Sequence, residues 1–157
     1  MLSILYEDYH LIAVNKPAPL LTQAPPGVPS LEGEIKAYVK EKYAKPAGVY
    51  LGVPHRLDRP VTGVIVFARN TKAARRLAEQ FQNRQVRKVY WAVLEGTVEP
   101  TAGVWEDWLR KVHEEARTEV VEPETAGGRR ARLSYQRLGL RLSRRHSNLD
   151  HQDLIHS

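Results

Sequence analysis

The chain has no cysteine and a single methionine in 157 residues. Without thiols there is no disulfide framework, no zinc site of the cysteine type and no cysteine nucleophile. No apolar run approaches the roughly 18 residues that a membrane-crossing helix requires. The opening "MLSILYEDYHLIAVNK" carries acids where a secretory leader needs a basic segment. A cytoplasmic protein without a membrane anchor is therefore expected. Internal repeats and low-complexity tracts are also missing.

What remains is a soluble globular composition, 42% hydrophobic and 27% charged. The length suits one domain with a sizeable core. Net charge is +6 and the isoelectric point is near 9.7. The excess is uneven. Residues 1–125 hold 17 Lys/Arg against 16 Asp/Glu, and residues 126–157 hold 7 against 2. A basic balance favours a polyanionic partner, because neutralised phosphates release counterions.

"ILYEDYHLIAVNKP" reads as two short strands around a turn at Glu7 and Asp8. The Pro-rich stretch "APLLTQAPPGVPS" is a loop, and Ser30 can cap a helix carrying Leu31, Ile35, Tyr38 and Val39 on one face. "GVIVFA" (63–68) has the length and β-branching of a buried strand. In the next segment, Asn70 or Thr71 caps a second helix with Ala74, Leu77, Ala78 and Phe81 on its apolar face. Lys72, Arg75, Arg76 and Arg84 lie off that face. "RKVYWAVLEG" (87–96) and "RARLSYQRL" (130–138) read as further strands. Helices and strands do not alternate strictly, so the expected class is α+β. From Gly139 onward, "LRLSRRHSNLDHQDLIHS" shows no evident period, and a disordered tail over 139–157 is expected. His146, His151 and His156 recur every five residues, which does not stack them on one helix face, and no metal is expected there. "TAGG" (125–128) is too short for a phosphate loop and reads as a turn.

One stretch stands out chemically. In "PHRLDRPVTGVIVFARN" (54–70), Asp58 sits between Arg56 and Arg59, immediately before the apolar strand. A turn aspartate usually only satisfies backbone. Flanking cations favour its ionised form, and a carboxylate fixed beside a rigid strand can act as a nucleophile. With no second carboxylate near in sequence, a two-carboxylate glycosidase is disfavoured.

The same stretch resembles the signature of RluA-type pseudouridine synthases through His55, Arg56, Leu57, Asp58, Thr62, Gly63 and Ala68. Three further segments agree in order: Asn15, Lys16 and Pro17; Lys88, Tyr90, Ala92 and Gly96; and Ala131 with Tyr135. The resemblance spans about residues 4–138 and implies a catalytic core over 1–138. It implies a mixed, mostly antiparallel sheet with flanking helices around a central RNA-binding cleft. The implied reaction is isomerisation of uridine to pseudouridine in ribosomal RNA or tRNA, with no cofactor and no metal. Asp58 would be the catalytic carboxylate, attacking ribose C1′ or removing a ribose proton. Arg56, with His55 and Arg59 beside it, would take part in RNA binding and base flipping, and Tyr90 would lie against the flipped uracil. A monomer is expected, its exposed sheet edge a route to association.

The resemblance is incomplete. The family's Thr-Gly-Arg-x-His-Gln-Ile-Arg stretch, which supplies a cation for the catalytic aspartate, has no counterpart after Leu138. A truncated or frame-shifted member is the expectation, and two other readings stay open. One is a catalytically silent RNA-binding remnant. The other is an unrelated hydrolase using Asp58 with a distant acid.

Overall fold

A computed structural model describes residues 2–112, 115, 117–145 and 148–156, with side chains described as far as residue 140. It divides into two compact units, Met1–Arg87 and Lys88–Ser157. Each unit carries its own antiparallel sheet and both helices lie in the first, the α+β class expected.

In the first unit, β1 (Ser3–Glu7), β2 (Leu11–Lys16) and β3 (Gly63–Ala68) form an antiparallel sheet in that order. The β1–β2 turn is closed by Asp8, whose carboxylate accepts from the amides of His10 at 2.7 Å and Leu11 at 2.6 Å. These bonds, the one from Leu11 foremost, hold the Asp8 carboxyl below its ordinary range. On β2 and β3, Ile12, Val14, Ile65 and Phe67 are fully buried. Helix α1 (Leu31–Lys42) adds Leu31, Ile35 and Val39 to the same core. Ser30 caps it by accepting from the Gly33 amide at 3.2 Å. Helix α2 (Thr71–Gln82) is capped by Asn70, which accepts from Ala73 at 2.9 Å, and lies against β3. Its apolar face is shallower than the pattern suggests: Ala73 is buried, Ala74, Leu77 and Phe81 are half-buried, and Ala78 is exposed.

The second unit is a five-stranded antiparallel sheet, β4-β8-β7-β5-β6. Its strands are β4 (Trp91–Glu95), β5 (Ala102–Lys111), β6 (Thr118–Val121), β7 (Arg129–Arg145) and β8 (Asn148–His156). β4 and the first half of β7 fall where strands were expected, whereas β5 and β6 were not anticipated. In β5, "VWEDWL" breaks polar/apolar alternation by setting Glu106 and Asp107 side by side. Glu106 lies across from Arg132 and bonds Arg130 at 2.7 Å, so it belongs to a polar face. On the opposite face the Tyr135 ring packs 4.5 Å from Trp105 and lies over Gly103, where a β-carbon would come within 2.9 Å of the tyrosine oxygen. The stretch expected as a tail is paired instead: β7 runs on past Gly139, and β8 bonds both β7 and β4. Pairing satisfies backbone groups that a loose segment would leave to water. Of the histidine triplet, His146 and the side chains of His151 and His156 lie outside the described residues, as do the side chains of Arg144 and Arg145. Among the described residues no helix is long and apolar enough to cross a membrane.

One polar hub ties β1, α1 and the end of β3 together. Glu7 accepts from the Tyr38 and Tyr43 hydroxyls at 2.8 Å and from Lys42 at 2.7 Å. Arg69 approaches it at 3.2 Å and lies 4.5 Å from the Tyr43 ring. Burial raises the Glu7 carboxyl, but the bonds from Lys42, Tyr43 and Tyr38 outweigh it and bring it from its ordinary 4.5 down to about 2. Because the folded value is depressed, Glu7 contributes stability above the unfolded value, and that contribution is lost as pH falls from 4.5 towards 2. Glu7→Gln is expected to destabilise the neutral protein by roughly 2 kcal/mol, less than the full linkage value because Lys42 is half-exposed. Urea melts at pH 7 and pH 3 check this: the gap between native and variant should narrow at the lower pH.

Candidate active site

Residues 55–58 belong to no helix or strand, a turn at Arg59 and Pro60 separates them from β3, and burial alternates along them. His55 and Leu57 turn inward, whereas Arg56 and Asp58 are exposed. Leu57 packs against the core while its two neighbours face out. The Asp58 carbonyl accepts from the Val61 amide at 3.1 Å, closing the turn that leads to Gly63. Gly63 has φ +146, and a β-carbon there would meet the Leu57 side chain at 3.3 Å. Only glycine enters β3 at this angle without strain.

Two buried side chains grip the backbone on either side of Asp58. Thr22, 3% exposed, donates its hydroxyl to the Leu57 carbonyl at 2.8 Å and accepts from the Leu57 amide at 3.2 Å. Lys16, fully buried, donates to the carbonyls of Arg59 at 3.2 Å, Leu20 at 2.6 Å and Pro17 at 3.1 Å. Burial lowers the Lys16 ammonium below its ordinary range, and the charge of Asp58 opposes that shift. Lys16 therefore fixes the residue after Asp58 while placing a cation within electrostatic reach of its carboxylate.

Neither Lys16 nor Thr22 was nominated from the sequence as a site residue. A signal for Lys16 was present: it follows Ile12 and Val14 at period two, on the buried side of β2. Thr22 lies in a proline-rich loop, and its partner is 35 residues away, so no local pattern announces it.

The other nominated residues separate. Among the described residues no ion pair joins Asp58 to Arg56 or Arg59. Both arginines are exposed on the same loop. The His55 ring does not face out with them. It stacks on Phe81 of α2 at 4.8 Å, and its Nε2 accepts from the Val66 amide at 3.1 Å. Tyr90 is 42% exposed in the second unit, just ahead of β4. The first unit thus presents one outward carboxylate and two outward guanidinium groups on a tethered loop. That arrangement suits attack at carbon within an anionic substrate.

Comparison with known proteins points one way. A family model described as RNA pseudouridylate synthase matches residues 10–150. A tRNA pseudouridine synthase C from Pectobacterium carotovorum is 39% identical over 62% of this chain and 25% of its own length. The protein of the same name from Salmonella typhi is 40% identical over 61% of this chain and 35% of its own. A dual-specificity RNA pseudouridine synthase RluA from Vibrio vulnificus is 39% identical over 64% and 38%. The match thus spans between a quarter and two fifths of these relatives' length. The solved human RNA pseudouridylate synthase domain containing 4 superposes with a TM-score of 0.75 at 26% identity, covering 98% of this chain and 57% of that one.

The grip on the loop is directly testable. Thr22→Val keeps the shape but removes the hydroxyl, leaving the amide and carbonyl of Leu57 without it. A loss of about 1–3 kcal/mol is expected in denaturant unfolding. Amide hydrogen exchange at residues 57–59 should rise by more than the global change explains.

Proposed function

This chain belongs to the RNA pseudouridylate synthase family, and we propose from that premise that it isomerises uridine to pseudouridine in tRNA or ribosomal RNA, with Asp58 as the catalytic carboxylate. The observation that carries the reading is the tethering of Asp58: an exposed carboxylate whose neighbours Leu57 and Arg59 are held by the buried Thr22 and Lys16. A group fixed in this way meets its target with little reorganisation, which is the larger part of what a preorganised site contributes.

The target carbon of a stacked uridine is out of reach, so the nucleotide is extruded before reaction. Arg56, outward on the same loop, is the residue to fill the vacated space, where its planar guanidinium stacks on bases. Arg59 steadies the adjoining phosphates. Tyr90 is assigned to the flipped uracil, by stacking and as a base at C5. His55 contributes indirectly, as the contact that fastens the loop to α2. Asp58 acts on the ribose, at C1′ or by proton removal. The chemistry calls for no cofactor or metal, and the place of action is the cytoplasm, as a monomer. Among the relatives, names with tRNA recur, and tRNA is the first substrate to try.

A second reading, RNA binding without turnover, is favoured by one observation: among the described residues no arginine or lysine lies within ion-pair distance of Asp58, and Lys16 acts on it only through its charge. The two part company in one assay, in which the chain is incubated at stoichiometric amounts with tRNA and with ribosomal RNA and pseudouridine is mapped by carbodiimide adducts. Product is expected; intact binding with no product would leave only the second reading. Asp58→Asn should reduce product at least about a thousandfold while changing RNA affinity less than about threefold, since the shape is kept. A variant that stays active would remove Asp58 from the chemistry. Arg56→Ala is expected to lower both affinity and turnover, each by about tenfold or more, read by fluorescence anisotropy and single-turnover kinetics.

A further inference from the structure

The two helices of the first unit carry opposite charge layouts. Helix α1 follows its own dipole, with Glu32 and Glu34 in the first turn and Lys40 and Lys42 in the last. Helix α2 has no acid in its first turn and no base in its last. Instead Lys72 stands at the positive end, followed by Arg75 and Arg76, all exposed. Lys72 faces Arg75 and Arg76 at three- and four-residue spacing, where like charges repel. Glu79 relieves them in part, reaching Arg75 at 3.8 Å. Among the described residues no carboxylate pairs with Lys72 or Arg76. These cations cost the helix stability rather than supplying it, so folding does not account for their placement.

We infer that the exposed face of α2, centred on Lys72, Arg75 and Arg76, docks the phosphate backbone of the RNA strand. The inference rests on the function proposed above and adds a surface separate from the Asp58 loop. Charge complementarity names the class of partner. An anionic membrane is the poorer match, because interfacial helices need a free apolar face, and the apolar side of α2 is taken up by β3 and by the Phe81–His55 stack. That stack also joins the helix to the segment bearing Asp58, so the docking face and the reactive loop belong to one rigid neighbourhood.

The test uses the full chain and a fluorescein-labelled RNA hairpin with a uridine-containing loop. Affinity is measured across a potassium chloride series for the native protein and for K72Q/R75Q/R76Q. A charge-matched control, K36Q/K40Q/K45Q, alters α1 and the residues after it. Loss of the α2 cations should weaken binding by at least about tenfold and flatten the slope of log affinity against log salt by about 2–3, at roughly 0.7–0.9 per phosphate. The control should leave the slope nearly unchanged. Equal losses in both variants would reduce the effect to net charge and overturn the inference. Undiminished binding by the α2 variant would also overturn it while leaving the proposed function standing. A native chain that does not bind RNA would overturn the function itself, and the inference with it. Thermal melting checks folding, and the α2 variant should melt no lower than native. Glu79→Gln gives an independent reading, since it removes the acid beside Arg75 and leaves all three cations in place. Tighter RNA binding supports the docking surface, and unchanged binding means that the face is only solvated.

Discussion

A single ammonium group organises the first unit. Lys16 lies at the end of β2, wholly shielded from water, and its three protons reach carbonyls of Pro17, Leu20 and Arg59. An ion so buried is tolerated only when its donors are satisfied. Here, satisfying them draws the proline-rich loop and the Asp58 loop over the same strand end. Thr22 ties the same two loops a second time, through the amide and carbonyl of Leu57. The positive charge left beneath the surface then lies within reach of the one carboxylate that faces out above it. A structural requirement and an electrostatic one are met by the same atom.

Around that point the packing is ordinary and strong. Buried residues from β2, β3 and α1 form one cluster, and Leu57 joins it from the loop. Asp58 is exposed beside an anchored neighbour: Leu57 packs inward while the residues on either side of it face out. The rigidity of the candidate site comes from hydrophobic burial one residue away, and its chemistry from what that burial turns outward.

Local patterns disclosed much of this unit. Ser30 and Asn70 as caps, the buried spacing of Leu31, Ile35 and Val39, and the apolar run of β3 are all short-range signals. The second unit was harder. β5 and β6 carry charges within their strands, and these become intelligible only as cross-strand pairs such as Glu106 with Arg130 or Arg110 with Glu119. Such pairs form across neighbouring strands, where the periodicity of a single strand does not point to them. The same holds within the site. The motif around Asp58 was legible as a motif, but the contacts that organise it were not. Thr22 and Lys16 supply them, and they act through backbone atoms whose partners a sequence does not display. His55 illustrates the converse: a residue of the motif, set apart from its neighbours by a ring stack and an amide bond.

Gly52 shows how far the loop's surroundings extend. It pairs with Ala68 through two hydrogen bonds at 2.8 and 2.9 Å, and a β-carbon at its position would fall 2.7 Å from that of Ala74 on α2. The missing methyl acts as a gauge for the gap between helix and sheet. Any larger residue would lever α2 outward, and Phe81, one end of that lever, would carry His55 with it. The aim of the exposed carboxylate is thus calibrated by an atom that is not there, in a stretch with no chemistry of its own.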